Sequence, residues 1–401
     1  MSNPPVVRAV EFYSGLGGWS YAAEKAAAVV GCVVQVVAAF DVSTTCNEIY
    51  FHNFGRRPSQ RPIEQLTAEE LDALEADLWM MSPPCQPHTR QRREEGGGKD
   101  CDDPRSASFL HLCKVLSQLK NPPSCIALEN VVGFESSACS KIWRAALSAV
   151  GLRLREWHLT PTMVGVPNER PRFYGVAIRS HASFDAQGIV EKSWPHEGVR
   201  ETERGLHLLP INAYLELPLT LPRQDSDLES DFVQWLVPTN VLDRDAAWCF
   251  DIAKPCLECQ PPEHAEGRGF CPHTSPGVPT ACFTHSYGRF ARGTGSVLYV
   301  PAVLDSTADV APLPPGADAR LSPESRQFGH CWKERIESSG GRLRYFTPRE
   351  VANLLGFPAA AAAGQPHQTS FHLPASMPAH RAWAALGNSL HVDTAAAVLR
   401  V

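Results

Sequence analysis

The sequence predicts an α/β fold in which a mostly parallel sheet carries helices on both faces, accompanied by a smaller second lobe. Four short apolar runs end in small, polar or charged residues, with helical patterns between them: VVRAVEFYSG, VVQVVAAFD, ADLWMMS and SCIALENV. Runs of this kind are typical of strands that are buried on both faces, as in parallel sheets. Ligands bind beyond the carboxyl ends of such strands, so we expect the functional site where these four runs end.

Two later segments, LREWHLT and RFYGVAIRS, are expected to complete the sheet as strands around a loop. From about residue 181 the periodicity breaks into proline-rich, mixed segments, which we assign to the second lobe. We therefore predict a main domain whose first part spans residues 1–180, a lobe with loop insertions over 181–340, and a C-terminal part, 341–401, that completes the main domain.

The helical pattern returns in the segment RYFTPREVANLLGFP. Thr347 has the properties of an N-cap, Pro348 those of a first helical residue, and Glu350 those of a capping-box partner. We predict a structural role for this motif and no part in catalysis.

Length and charge set the first limits on function. The 401 residues, 43% of them hydrophobic, are enough for one large domain and a smaller lobe. A net charge of -6 means that any contact with nucleic acid must come from local basic patches. Composition alone therefore argues mildly against a nucleic-acid partner.

Apolar runs and cysteines indicate the compartment. No apolar run approaches the roughly 18 residues that a membrane span needs, and the N-terminus lacks a signal-peptide pattern. We expect a soluble intracellular protein without a membrane partner. The 13 cysteines are then expected to be free, catalytic or metal-bound rather than a disulfide framework.

A glycine turn follows the first predicted strand. Gly15, Gly17 and Gly18 let the backbone approach a ligand closely, and Asp41 ends the second strand where ribose hydroxyls are gripped in related architectures. The spacing departs from G-x-G-x-x-G, so a single nucleoside-like cofactor is favoured over a dinucleotide. A tight turn with nothing bound remains the alternative.

Cys85 stands in the rigid segment SPPCQP, directly after the third strand. A nucleophilic thiol needs an electropositive setting and a fixed approach to its target, and Arg90, Arg92 and Arg93 follow closely. The alternative is an incidental loop cysteine.

Two further segments offer a carboxyl group and two guanidinium groups. Glu129 and Asn130 end the fourth strand, where a carboxylate is either a costly buried charge or a positioned acid. Arg170 and Arg172 flank a proline that fixes their relative direction, and they suit a base carbonyl, a phosphate or the carboxylate itself. An ordinary solvated turn is the alternative for this arginine pair.

Together these residues suggest methylation of cytosine at carbon 5. Attack of the Cys85 thiolate on carbon 6, with Glu129 hydrogen-bonded at N3, converts the ring to an enamine that accepts a methyl group. Loss of the carbon-5 proton then expels the thiolate. Arg170 and Arg172 would orient the base and the thiol, with the methyl donor on the glycine turn.

The segments FYSGLGG, SPPCQP, LENV, NERPRF and LGNSLHV, in this order, resemble the motif series of cytosine-5 methyltransferases that use S-adenosylmethionine. That resemblance implies the Rossmann-like fold of S-adenosylmethionine-dependent methyltransferases, with the second lobe as a target-recognition domain. The segments PPCQPHTR and CFTHSYGRFARGTGSVL are similar to the eukaryotic tRNA cytosine-5 methyltransferases, historically the second DNA methyltransferase group. His88 departs from the Phe that these relatives usually carry.

The resemblance implies transfer of a methyl group to cytosine 38 in the anticodon loop of tRNA, chiefly tRNA-Asp, with weak or no activity on DNA. It also implies a monomer in the cytoplasm and the nucleus. The matching catalytic residues are Cys85, Glu129, Arg170 and Arg172. The matching cofactor contacts are Leu16, Gly17, Gly18, Asp41, Ile63, Glu64, Ser82 and Ser389, supported by Asn388 and Val392. Cys282, Phe283 and Thr284 match the recognition-lobe signature, as a substrate contact or a support of the active site.

Basic loops are the candidate contacts for nucleic-acid phosphates. The candidates near the catalytic cysteine are Arg90, Arg92, Arg93 and Lys99, and a second loop carries Arg56, Arg57 and Arg61. Glu94 and Glu95 offset the first group, so a solvated mixed-charge loop is the alternative.

A cysteine- and histidine-rich insertion raises the question of zinc. The candidate ligands are Cys256, Cys259, His264, Cys271 and His273. The spacing of the second pair is unusual for a zinc site, so we expect a flexible loop with free thiols and no metal.

Two other functions stay open at this point. A DNA cytosine methyltransferase would use the same chemistry on duplex DNA. A catalytically silent protein would still bind S-adenosylmethionine and RNA but would not transfer the methyl group.

Overall fold

We describe the fold from a computed structural model. Its main feature is a seven-stranded sheet with the strand order β2-β1-β3-β4-β6-β5-β7. The structure describes residues 3–84, 100–179, 190–192, 209, 211–216, 233–237, 252–253, 279–289, 294–300, 342–359 and 370–400. The strands are β1 (Val6–Phe12), β2 (Val33–Phe40), β3 (Leu78–Met81), β4 (Cys125–Val131), β5 (Arg153–Leu159), β6 (Arg172–Ile178) and β7 (Val190–Glu191).

The predicted mostly parallel sheet is confirmed. Strands β2, β1, β3 and β4 pair in parallel, and β7 is parallel to β5. Strand β6 lies antiparallel to both β4 and β5. The connection between β5 and β6 contains a 3₁₀ helix, Pro161–Val164, and no α-helix that crosses the sheet, which favours an antiparallel pair.

Helices cover both faces of this sheet. In the described residues they are α1 (Gly18–Val30), α2 (Thr44–Phe54), α3 (Ala68–Asp72), α4 (Ala107–Leu116), α5 (Ala138–Ala149), α6 (Pro348–Leu354), α7 (Ala379–Gly387) and α8 (Val392–Val398). Met80 packs in one core with Trp19 of α1, whereas its neighbours Trp79 and Met81 pack in the other with Phe109 of α4. Side chains alternate in this way because successive strand residues point to opposite faces. No helix among these has the length and apolar character that crossing a bilayer requires.

A second, three-stranded sheet has the order β10-β9-β8. It consists of β8 (Ile252–Ala253), β9 (Val297–Val300) and β10 (Arg342–Tyr345). By sequence β10 belongs to the predicted C-terminal part, yet it pairs antiparallel with β9 of the predicted lobe. The domain limits drawn from the sequence stay a prediction.

The capping box predicted at the start of α6 is confirmed. Thr347 Oγ1 accepts a hydrogen bond from the Glu350 amide at 3.1 Å, and Glu350 Oε2 accepts one from the Thr347 amide at 2.9 Å. Glu350 also forms a fully buried ion pair with Arg344, whose two terminal nitrogens lie 2.7 and 2.9 Å from the carboxylate oxygens. The motif therefore anchors β10 to α6, which agrees with the predicted structural role.

Glu11, near the end of β1, is a fully buried carboxyl group surrounded by hydroxyl groups. The hydroxyls of Ser20 and Tyr50 donate hydrogen bonds to Oε2 at 2.5 and 3.1 Å. Burial raises the pKa of Glu11 from 4.5 to about 7, although these hydrogen bonds lower it. Between these two pH values the folded chain keeps a proton that the unfolded chain has lost, so stability falls as the pH rises through this range.

One pKa unit corresponds to about 1.4 kcal/mol, so ionisation of Glu11 should lower the free energy of unfolding by about 3 kcal/mol. We predict that Glu11→Gln removes this pH dependence. From pH 5 to pH 8 the wild-type free energy of unfolding should fall by this amount relative to the variant. Urea titrations at both pH values measure the difference. Glu69→Gln, on the exposed surface of α3, is the control and should keep the wild-type dependence. Equal pH dependence in wild type and Glu11→Gln would contradict the prediction.

Candidate active site

A cavity of about 300 Å³ opens at the carboxyl ends of β1, β2, β3 and β4. Strand β1 lies between β2 and β3, so the chain leaves β1 in one direction and later returns on its other side. Ligands of open α/β sheets bind at such a reversal of strand order. The lining residues are Tyr13, Gly15, Leu16, Asp41, Val42, Ser43, Cys46, Ser82, Pro83, Pro84, Glu129, Asn130, Val131, Arg170, Arg172, Ala385, Gly387, Asn388 and Ser389.

The glycine turn between β1 and α1 is held in a conformation that only small residues tolerate. Gly15 and Gly17 have φ values of 52° and 83°. A Cβ atom on Gly17 would also lie 2.3 Å from a ring carbon of Phe54. Of these glycines only Gly15 lines the cavity, whereas Gly17 is required by its packing against Phe54.

Asp41 holds the turn from the end of β2. Its Oδ2 accepts a hydrogen bond from the Gly15 amide and its Oδ1 one from the Ser43 amide, each at 2.8 Å. Burial raises the pKa of Asp41, and the two amides act in the opposite direction. The carboxylate thus has a structural role in addition to the ribose contact that the sequence predicts.

The predicted cofactor residues fall into two groups. Those that line the cavity are Leu16, Asp41, Ser82, Asn388 and Ser389. Those that lie outside its lining are Gly17, Gly18, Ile63, Glu64 and Val392. Ile63 packs in the core beneath β1 and β2, and Val392 is buried at the start of α8.

The cavity suits a nucleoside-sized cofactor. Its volume lies at the lower end of the range of small-molecule sites. Its lining combines the apolar side chains of Leu16 and Val42 with the polar ones of Asp41, Ser43 and Asn388. Ser82 Oγ, which accepts a hydrogen bond from Trp19 Nε1 at 2.9 Å, adds a fixed polar group to the same wall. These residues fit S-adenosylmethionine.

Glu129 and Arg172 meet on the opposite wall. Arg172 Nε lies 3.3 Å from Glu129 Oε1, and both side chains are mostly buried. Strands β4 and β6 produce this contact because they are antiparallel neighbours whose ends coincide, with Val131 opposite Arg172. The guanidinium group thereby orients the carboxyl group toward the cavity.

Arg170 is 2% exposed, so the alternative of a solvated turn is wrong for this residue. Its guanidinium donates hydrogen bonds to the carbonyl oxygens of Phe283 and Gly387, each at 3.0 Å, and to that of Ser389. It also lies 3.1 Å from the sulfur of Cys282. Arg170 therefore joins three segments of the chain at the rim of the cavity.

The predicted recognition signature lies against these arginines. Burial alone would raise the pKa of the Cys282 thiol, but the charges of Arg170 and Arg172 outweigh it and hold that pKa below its ordinary value. Phe283 packs edge-on against Tyr287 and Phe346 in an aromatic cluster. Thr284 donates its amide to the Thr294 carbonyl oxygen at 2.8 Å. All three residues thus have structural contacts, and none of the three lines the cavity.

Asn130 is a residue to which the sequence assigned no role. Its side-chain amide donates a hydrogen bond to the Pro83 carbonyl oxygen at 3.2 Å, and its Oδ1 accepts one from the Val131 amide at 2.8 Å. It ties the end of β4 to the proline pair that precedes Cys85. Its position beside Glu129, at the end of a buried strand, is the sequence signal that points to it.

Several predicted residues lie outside the described part of the chain. They are Cys85, His88, Arg90, Arg92, Arg93 and Lys99, and the zinc candidates Cys256, Cys259, His264, Cys271 and His273. Of the second basic loop, Arg56 lies over the Tyr50 and Phe54 rings, and Arg61 pairs with Glu70. Arg57 is exposed and stacks on Phe51.

We predict that Arg170→Lys lowers the free energy of unfolding by roughly 2–4 kcal/mol, because an ammonium group cannot reach all of the guanidinium's acceptors and leaves buried carbonyl oxygens unpaired. Urea titration measures the loss. Arg57→Lys, on the exposed surface, is the matched control and should change stability by less than about 0.5 kcal/mol. Similar losses in both variants would refute the anchoring role.

Comparisons with known proteins agree with this geometry. The family model described as C-5 cytosine-specific DNA methylase matches residues 7–224. The tRNA (cytosine(38)-C(5))-methyltransferase of Homo sapiens is 31% identical, over 98% of this chain and 98% of that protein. A protein of Dictyostelium discoideum named DNA (cytosine-5)-methyltransferase is 27% identical, over 98% of this chain and 94% of that protein.

A solved structure shows the same fold. The S. pombe Dnmt2 methyltransferase has a TM-score of 0.66 and 26% identity, over 98% of this chain and 97% of that chain. The fold, the order of the motifs and the family match agree, and we conclude that this chain belongs to the family of C-5 cytosine methyltransferases.

Proposed function

We propose that this protein transfers a methyl group from S-adenosylmethionine to carbon 5 of cytosine 38 in the anticodon loop of tRNA, chiefly tRNA-Asp. The family match supports methylation of cytosine, and the name of the human relative, similar over nearly the whole chain, supports tRNA and position 38. The restriction to tRNA-Asp comes from the resemblance noted in the sequence.

One observation carries the proposal: a single cavity is lined both by the glycine turn with Asp41 and by Glu129 with Arg172. A methyl transfer requires the donor and the base to meet with their reacting atoms about 3 Å apart. Two separate clefts for these residues would have been incompatible with it.

In the proposed mechanism the Cys85 thiolate adds to carbon 6 of the cytosine, which makes carbon 5 nucleophilic. When bound, S-adenosylmethionine supplies an electrophilic methyl group. Cys85 follows Pro84 directly in the chain, and Pro84 lines the cavity. After methyl transfer a base removes the carbon-5 proton, and the thiolate leaves as the ring regains its double bond.

The Glu129 carboxyl group would hydrogen-bond N3 of the ring and protonate it during attack, which neutralises the negative charge that develops there. Arg172 contacts Oε1 of Glu129, which fixes the plane of the carboxyl group. Asn130 would keep the proline pair before Cys85 in place through the Pro83 carbonyl oxygen.

Single-stranded RNA is favoured over duplex DNA as the substrate. A base in an anticodon loop has already lost most of its stacking, which spares the few kcal/mol that extrusion from a duplex would require. We also propose that the protein is a monomer of the cytoplasm and nucleus, and that its activity on DNA is weak or absent. The Dictyostelium relative's name makes DNA the alternative substrate that must be assayed.

We predict that Cys85→Ala abolishes methyl transfer to unmodified tRNA-Asp, because the proposed mechanism activates carbon 5 through addition of the Cys85 thiolate to carbon 6. Transfer of labelled methyl groups, followed by bisulfite sequencing at position 38, measures it. Cys32→Ala, at the opposite end of the sheet, is the matched control and should keep full activity. Duplex DNA is assayed in parallel. Activity of Cys85→Ala would refute the nucleophile, and faster methylation of DNA than of tRNA would refute the substrate.

Glu129→Gln should lower kcat by about 10²- to 10⁴-fold, the contribution typical of a positioned acid. The affinity for S-adenosylmethionine should stay unchanged, because Glu129 faces the base in this mechanism. Steady-state kinetics and calorimetry separate the two quantities. Glu135→Gln removes a nearby carboxyl group that pairs with His158 outside the cavity, and it should retain kcat. An equal loss in both variants would mean that the effect is structural.

A further inference from the structure

Two cysteines outside the cavity have their sulfur atoms in direct contact. Cys101 Sγ and Cys139 Sγ lie 3.1 Å apart, and 38 positions separate them in the chain. Cys139 is fully buried in the first turn of α5, whereas Cys101 is half-buried in a short 3₁₀ helix. Neither residue belongs to a motif of the proposed reaction.

A polar framework holds the two thiols against each other. The carboxylate of Asp100 accepts hydrogen bonds from the amides of Ala138 and Cys139 at 2.6 and 3.4 Å, so it caps the N-terminus of α5. The Ser106 hydroxyl donates to the Asp100 carbonyl oxygen at 2.7 Å. The contact between the sulfurs is therefore fixed by the backbone on both sides.

The same three residues, Asp100, Cys101 and Cys139, have ligand atoms close enough to hold a metal ion. Two thiolates on one zinc ion, with Zn–S bonds of about 2.3 Å and tetrahedral angles, would lie about 3.7 Å apart. The observed separation is shorter, and the Asp100 carboxylate is already engaged by the helix amides. A covalent bond of about 2.05 Å between the sulfurs needs only a closure of about 1 Å, which rotation of the side chains supplies.

We propose that Cys101 and Cys139 are an oxidation site, at which a small-molecule disulfide such as oxidised glutathione forms a Cys101–Cys139 disulfide bond. The Cys101 thiolate attacks one glutathione sulfur, and the first glutathione leaves as a thiol. The Cys139 sulfur then attacks Cys101 Sγ in the mixed disulfide, and the second glutathione leaves. The two protein thiols lose two electrons and two protons, and the oxidant becomes two thiols.

Exposure decides which cysteine reacts first. Cys101 reaches solvent, whereas Cys139 is buried and can react only with its neighbour. Burial raises the pKa of the Cys101 thiol, so the first step should accelerate as the pH rises above neutrality. This order makes Cys139 the resolving residue.

The bond would enclose the segment that contains β4 and Glu129. Cross-links of this loop length restrict the unfolded chain strongly, so the oxidised form should be the more stable one. Because the sulfurs already touch, the oxidised protein should keep the position of β4. The proposed reaction and this bond are independent of each other.

The test uses the full chain, first reduced and then incubated with oxidised glutathione at pH 8.5. Digestion with trypsin and a glutamate-specific protease places Cys101 in fragment 100–105 and Cys139 in fragment 136–141, away from Cys125. Mass spectrometry should find these two fragments linked, and the Tm of the oxidised protein should rise by about 5 °C.

Variants make the result decisive. In Cys139→Ser the linked fragments should be absent and Cys101 should stay bound to glutathione, whereas Cys32→Ser should behave as wild type. A free thiol at Cys139 in fully oxidised wild-type protein would overturn the proposal. So would one equivalent of zinc retained by the reduced wild type and lost in Cys139→Ser.

Discussion

The buried guanidinium group of Arg170 is the interaction on which the cavity depends. It reaches the Phe283 carbonyl oxygen across 113 positions of the chain and the Gly387 carbonyl oxygen across 217. A buried charge is costly unless it is hydrogen-bonded, and both terminal nitrogens of Arg170 find acceptors only when these segments assemble around the group. Glycine at 387 permits the approach, because a Cβ atom there would lie 2.2 Å from the backbone of Thr284. The rim of the cavity is thus a consequence of satisfying one cation.

The wall formed by the glycine turn and Asp41 is stabilised in a different way. The turn after β1 holds three residues at positive φ, Tyr13, Gly15 and Gly17, and such backbone persists only where its surroundings fix it. Asp41 supplies that support with bonds to the backbone on either side of the cavity mouth. One wall is therefore organised by a cation that binds carbonyl oxygens and the other by a carboxylate that binds amides. Ligand groups of both signs can be accommodated between them.

Local pattern was sufficient for the strands and for the α6 cap, because buried strands and capping boxes are specified by neighbouring residues. The cavity position followed from the rule that sites lie at strand ends. The carbonyl partners of Arg170 could not be predicted, since they are backbone groups more than a hundred positions away and carry no side-chain signature. For the same reason the match of Phe283 to a recognition signature did not predict its packing against other aromatic rings. The Cys101–Cys139 contact likewise arises from tertiary structure, because neither local sequence predicts that the two cysteines meet.

Glu11 links the strand that precedes the glycine turn to two helices. Its carboxyl group joins β1, α1 and α2 through the hydroxyls of Ser20 and Tyr50. A neutral carboxyl group in this position costs little, whereas an ionised one is desolvated, and the hydrogen bonds from Ser20 and Tyr50 together with the charge of Arg56 compensate for this only in part. A leucine would fill the space and leave the Ser20 and Tyr50 hydroxyls bonded to each other at 3.1 Å, but β1 would lose its polar link to both helices. Glu11 therefore holds β1, α1 and α2 together through hydrogen bonds. This arrangement is most stable when the carboxyl group is protonated, because burial disfavours its charged form.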